Sequence, residues 1–133
     1  MKNKFWKDKK VLITGHTGFK GRWLSALLEL FGAKIYGISL KPNNTELYYS
    51  LIKRNHYCDI NDFSKLNKFI KKIKPQIIFH LAAQSLVISG YRKIIDTYKT
   101  NFLGTINVIE ASKQSKKTKA LLIATTDKVY KNK

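Results

Sequence analysis

Cysteine, proline and acidic residues are all scarce in this chain. The single cysteine, Cys58, excludes an internal disulfide and cannot by itself build a thiolate metal site. Only two prolines occur, and no linker, repeat or low-complexity stretch divides the 133 residues, so one domain is expected. No apolar run approaches the ~20 residues that cross a bilayer. Residues 1–10 are charged and carry no apolar stretch of the secretory type. These shortages point to a cytoplasmic protein without a membrane partner.

Eight acidic residues stand against 26 basic ones, for a formal charge of +18. Such an excess raises nucleic acid as a partner. Arginine, the residue suited to bidentate recognition of phosphates and bases, is nevertheless rare beside lysine, and the lysines run from Lys2 to Lys133 without clustering. The charge reads as solvated faces, and no specific nucleic-acid partner is expected. His16, His56 and His80 lack the spacing of metal ligands. His80 reads as a hydrogen-bonded histidine at a strand end, and Trp6 and Trp23 as packing residues.

What is present alternates between two periods. Val11, Leu12 and Ile13 form a β-branched run entering a glycine-rich turn. Leu24, Leu27, Leu28 and Phe31 then repeat at helical spacing, with Gly32 as the stop. Residues 34–40 read as a second strand, residues 45–53 as a short helix, and residues 56–60 as a third strand. Asn61 and Asp62 cap a helix whose apolar stripe is Leu66, Phe69, Ile70 and Ile73, closed by Pro75. Residues 76–83 form a fourth strand and residues 120–126 a fifth. Between them Ile94, Ile95, Tyr98, Phe102, Ile106 and Ile109 line one face of a longer helix. Inner strands that are apolar without strict alternation belong to a parallel sheet covered on both faces. The expectation is a doubly wound α/β fold with strand order 3-2-1-4-5.

The turn Thr14-Gly15-His16-Thr17-Gly18-Phe19-Lys20-Gly21 joins the first strand to the first helix. A pyrophosphate needs backbone at close range and a helix N-terminus aimed at it. Gly15 permits the tight turn, Gly18 admits the phosphates, and Gly21 lets the helix pack on the strand. Three glycines alone are a weak signal; between a strand and an amphipathic helix in the first βαβ unit they become strong.

The spacing Gly-x-x-Gly-x-x-Gly resembles that of the short-chain dehydrogenase/reductases, whose extended branch holds nucleotide-sugar epimerases and dehydratases. Asp59-Ile60, Leu81-Ala82-Ala83-Gln84, Asn101 and Thr125-Thr126-Asp127 fit that branch in turn. Phe5-Trp6, Arg22-Trp23-Leu24, His80-Leu81-Ala82-Ala83-Gln84 and Asp127-Lys128-Val129-Tyr130 resemble the CDP-glucose 4,6-dehydratases in particular. The resemblance covers nearly the whole chain.

It implies a Rossmann-type NAD(P)-binding unit over residues 1–133, truncated after the fifth strand, with the catalytic helix and substrate domain lying beyond it. Residues 15–21 would hold the pyrophosphate, Asp59 the adenine amino group with Ile60 beside it, and Leu81, Ala82, Ala83 and Gln84 would run along the cofactor. Asn101 would prop the active site. Thr126 would hydrogen-bond the sugar C4 oxygen, Asp127 would protonate the departing 6-hydroxyl, and Lys128 would stabilise charge at C5 or act as base. The implied substrate is a nucleotide sugar, CDP-glucose, and a full-length form could be a homo-oligomer. The family also uses Tyr-x-x-x-Lys after the fifth strand. Tyr49 and Lys53 match that spacing but fall between the second and third strands, where the match is coincidence.

The sequence departs from the family at three further places. Residues 38–41 offer no acid for the ribose hydroxyls of NAD, and Lys41 would suit a 2′-phosphate, so NADP stays open beside NAD. Ser85, Ile88 and Ser89 stand where the family commonly has Pro, Arg and Arg, which weakens the case for intact substrate handling. A non-catalytic dinucleotide-binding remnant, or part of another nucleotide-sugar epimerase or dehydratase, is the alternative.

Overall fold

The computed structural model describes residues 4–42 and 54–126. Five parallel strands form one sheet in the order β3-β2-β1-β4-β5. They are β1 (Lys10–Thr14), β2 (Lys34–Ser39), β3 (Asn55–Tyr57), β4 (Ile77–His80) and β5 (Ala120–Ile123). The helices are α1 (Phe19–Leu30), α2 (Phe63–Ile73), α3 (Val87–Arg92), α4 (Ile94–Tyr98) and α5 (Gly104–Lys113), with a π-helical turn at Lys99–Leu103 between α4 and α5. The short helix expected at residues 45–53 lies outside the described residues.

Pleating divides the apolar strand residues between two cores. Val11, Ile13, Ile35 and Ile77 pack with Leu28 of α1 on one face. Leu12, Ile38 and Ile78 pack with Leu66, Ile70 and Ile73 of α2 and with Val108 and Ala111 of α5 on the other. Both faces are therefore dry, as the unalternating strands require. Helix α1 ends at Gly32, whose φ of 92° suits glycine. Asp62 caps α2, its carboxylate accepting from the Lys65 backbone N–H at 3.1 Å. Trp6 packs half-buried on the α1 side of the sheet, whereas Trp23 is largely exposed, contrary to its expected packing role.

The sheet ladder is shorter than the apolar runs. β3 spans three residues rather than residues 56–60, and β4 and β5 stop at His80 and Ile123. One residue beyond each end still bonds to the neighbouring strand: the N–H groups of Cys58, Leu81 and Ala124 donate to the carbonyls of Ser39, Thr14 and His80 at 3.0, 3.1 and 3.0 Å. Helix α1 also begins earlier than its leucine stripe suggests, so Gly21 is already inside it. The expected long helix is broken by the π-turn, and its large apolar residues are exposed: Ile94, Ile95, Tyr98, Phe102 and Ile106 face away from the core. The buried face of α5 is instead Gly104, Val108, Ala111 and Ser112. A Cβ on Gly104 would stand 2.7 Å from the Cγ1 of Ile60, so glycine lets the start of α5 lie close against Ile60.

Candidate functional site

A groove of about 500 Å³ opens at the C-terminal edge of the sheet, where the strand order reverses between β1 and β4. One end is lined by the glycine turn and by Ser39, Leu40, Cys58, Asp59 and Ile60. The other is lined by Leu81, Ala82, Ala83, Ser85, Thr100 and Ala124. Of the residues singled out in the sequence, Gly15, Thr17, Gly18, Phe19, Lys20, Gly21, Asp59, Ile60, Leu81, Ala82 and Ala83 meet here.

The turn is built by steric necessity. Gly15 has φ 73°, and a Cβ there would lie 2.8 Å from the Ala82 nitrogen, so only glycine lets the turn sit against the wall that follows β4. A Cβ on Gly21 would lie 2.7 Å from the His16 Cα and collide with the Gly15 carbonyl oxygen. Gly18 is the N-cap of α1, with extended φ and ψ and no side-chain cap, and the helix dipole adds positive potential there. Exposed Lys20 stands in the same first turn. An uncapped twelve-residue helix start beside a glycine cradle fits a dinucleotide pyrophosphate.

Three of the expected residues have partners within the chain. His16 is buried under the turn with its ring over Gly37, and is not part of the groove lining. Burial holds its pKa below the usual value, with the Ile38 backbone and the Asn55 side chain pulling the other way. Asp59 keeps one carboxylate oxygen on the Asn61 backbone and side-chain nitrogens, at 2.9 and 3.0 Å. Asn101 does not line the groove; it brackets the backbone of Gln84, accepting from its N–H at 2.8 Å and donating to its carbonyl at 3.0 Å. Thr126 lies two residues past the groove-lining Ala124, and Asp127 and Lys128 lie outside the described residues, as do Tyr49 and Lys53.

Sequence reasoning missed Ser39, Leu40, Cys58, Ser85, Thr100 and Ala124 as groove residues. Position at a strand end or just past it was the available signal for all but Ser85 and Thr100. Ser39 spends its hydroxyl on the Leu40 carbonyl at 2.9 Å. Burial, reinforced by Asp62 and Asp59, pushes the Cys58 thiol up, which makes it a poor nucleophile at neutral pH.

The family model for GDP-mannose 4,6 dehydratase matches residues 12–132. The chain belongs to this dehydratase family. It is 43% identical over 133 residues to CDP-glucose 4,6-dehydratase from Salmonella typhimurium, covering 96% of this chain and 37% of that protein. GDP-mannose 4,6 dehydratase 2 from Caenorhabditis elegans is 36% identical over 122 residues, covering 81% of this chain and 32% of the relative. The chain thus spans about a third of the length of these relatives. Among solved structures, UDP-glucose-4-epimerase from Stenotrophomonas maltophila with bound NAD shares the fold, with TM-score 0.80 and 19% identity over 94% of this chain and 39% of that one. The Bordetella bronchiseptica enzyme WbmH in complex with NAD+ has TM-score 0.68 and 26% identity, covering 81% of this chain and 36% of the neighbour. No helix among the described residues of the dehydratase-family chain is long and apolar enough to cross a membrane.

Proposed function

We propose that these residues are the dinucleotide-binding part of a nucleotide-sugar 4,6-dehydratase that takes NAD as cofactor and CDP-glucose as substrate. The observation that carries this reading is the groove itself, with the glycine turn and the uncapped start of α1 at one end and the small-residue wall of Leu81, Ala82 and Ala83 at the other. The likeness to the Salmonella CDP-glucose enzyme supports the choice of sugar, and the NAD-bound neighbours support NAD over NADP.

Residues 15–21 would hold the pyrophosphate and Asp59 the adenine, while the wall keeps water from the nicotinamide end. NAD, when bound, supplies a hydride acceptor for the sugar and returns the hydride at the end of the turnover. Thr126 would donate to the C4 oxygen of the sugar. Asp127 would pass a proton to the leaving 6-hydroxyl, and Lys128 would offset negative charge developing beside C5.

The sequence after β5 holds no Tyr-x-x-x-Lys pair within these 133 residues, and a base at O4 is needed before C4 can give up hydride. Residues 1–133 are on this reading one incomplete NAD(P)-binding unit that binds cofactor and does not turn over alone. Ser85, Ile88 and Ser89, in place of the family's Pro and arginines, favour a second reading as a cofactor-binding remnant. Calorimetry with NAD tests the proposal: micromolar-range binding that is lost in Gly18→Val supports it, and equal affinity in the two chains refutes the placement of the cofactor. An assay of the 133-residue polypeptide with NAD and CDP-glucose, read as alkaline absorbance of the 4-keto product, should stay at background. Steady turnover lost in Asp127→Asn would show that the base lies within these residues.

A further inference from the structure

A chain of hydrogen bonds runs beneath the groove from β1 to the π-turn. The Ala82 backbone N–H donates to Thr14 Oγ1 at 3.3 Å, and Thr14 Oγ1 lies 2.6 Å from His80 Nδ1. On the other side of the ring, His80 Nε2 lies 2.9 Å from Thr105 Oγ1, which donates to the Asn101 carbonyl at 2.8 Å. Thr14 is fully buried and His80 is 2% exposed.

Donor counting leaves one arrangement. A carbonyl can only accept, so the single Thr105 hydroxyl proton is spent on Asn101. Thr105 must then accept from His80, which puts the ring proton on Nε2 and leaves Nδ1 bare. Bare Nδ1 must accept from the Thr14 hydroxyl, whose oxygen accepts in turn from Ala82. Every bond points the same way. One end of the chain is in the groove wall, at Ala82, and the other is beside it, where Asn101 brackets Gln84 between the lining residues Ala83 and Ser85. Ala82 is also the residue against which Gly15 packs.

We propose that His80 is a positioning residue of the dinucleotide groove, held as the neutral Nε2–H tautomer so that one directed hydrogen-bond chain fixes residues 81–84 against the glycine turn. This rests on the dinucleotide reading and adds to it a part for a residue that touches no ligand. Ala82 stands beside the Gly15 turn, whereas the far part of that wall, towards Gln84 and Asn101, is the part on which Thr105 acts and the part that the nicotinamide end of NAD would reach and ADP would not.

Thr105→Val breaks the chain at Nε2 with little change in shape, and Thr105→Ser keeps the hydroxyl. In nitrogen-15 NMR of the ligand-free chain, the His80 ring should show Nε2–H and a bare Nδ1 in the parent and in Thr105→Ser, and lose that single tautomer in Thr105→Val. A parent ring protonated at Nδ1, or at both nitrogens at neutral pH, overturns the proposal. In calorimetry Thr105→Val should weaken NAD by about ten-fold, the worth of one directed hydrogen bond, while ADP affinity stays at the parent value. Thr105→Ser should restore NAD binding. NAD and ADP weakened equally would make the chain merely structural and overturn the positioning role. A parent chain that binds neither nucleotide would overturn the dinucleotide reading and the positioning role with it, and is told apart by the parent titrations alone.

Discussion

Lowering the pH from about 6.5 towards about 4 should destabilise this protein through His80. Burial pushes the His80 pKa from 6.5 down to about 4. The folded state therefore holds the ring neutral where the unfolded chain would protonate it. Below pH 6.5 the unfolded state binds more protons than the folded one, so stability falls as pH falls, and the loss levels off near the folded pKa. Each pH unit in that window costs about 1.4 kcal/mol per proton, and the full window about 3 kcal/mol, a large share of the ~5–15 kcal/mol that holds a typical domain. His16 is shifted in the same direction, chiefly by its burial, and adds to the same loss. Asp62, lowered by its hydrogen bonds to Lys65, acts in a separate window: its contribution is present above 3.8 and disappears only as pH falls through its lower folded pKa.

Urea unfolding between about pH 6 and about pH 4.5 reads this directly where the transition is two-state. The His80→Asn variant loses hydrogen bonds and will be less stable throughout, so absolute stability decides nothing. The slope decides. Removing His80 should make the fall of stability with pH shallower by about one proton, or about 1.4 kcal/mol per unit, across that range. If parent and variant keep the same slope, His80 is not the buried neutral base that its contacts with Thr14 and Thr105 require.

Other expectations follow from packing and charge. Leu66→Ala, at a fully buried site between α2 and the sheet, should cost about 2–5 kcal/mol in urea or thermal unfolding. Gly18→Val should leave the far-ultraviolet dichroism and melting temperature close to the parent, since an added Cβ meets only the Gly15 carbonyl oxygen at 3.2 Å. Gly21→Val should unfold the turn, because its Cβ would run into the backbone of Gly15 and His16. DNA should bind only weakly and without sequence preference, with affinity collapsing as salt rises, because the charge is scattered lysine; a specific complex that survives physiological salt would refute this.

The order of strands and helices was legible chiefly because the inner strands β1, β2 and β4 are apolar on both faces, and that signal comes from burial alone. Strand ends were not legible for the same reason. Ile60, Ala82 and Ala83 continue the apolar runs, yet they line the groove beyond the strand ends, and Ile60 also packs against α5. Periodicity reports that a residue is dry and does not say what keeps it dry. The stripe from Ile94 to Ile106 shows the limit from the other side. Its spacing is helical and its residues are large, but the buried face went to Gly104, Val108 and Ala111, with Gly104 close against Ile60.

The glycine turn of the groove was legible, since its close backbone approach to Ala82 must be written in glycine and glycine is visible in sequence. Polar positioning was not visible. His80 could be read as a hydrogen-bonded strand-end histidine, but its partners stand 66 residues before it and 25 residues after it. The second partnership depends on the π-turn, whose extra residue per turn carries no periodic mark. That turn is where Asn101 reaches Gln84 and where the Asn101 carbonyl receives Thr105. An uninterrupted α-helix with the same residues would rotate Asn101 relative to Thr105 and Gly104 by most of the angle between successive residues. The helix could then keep Gly104 against Ile60 or Asn101 on Gln84, but not both. The π-turn is the local irregularity that lets one helix satisfy the core and the groove wall together.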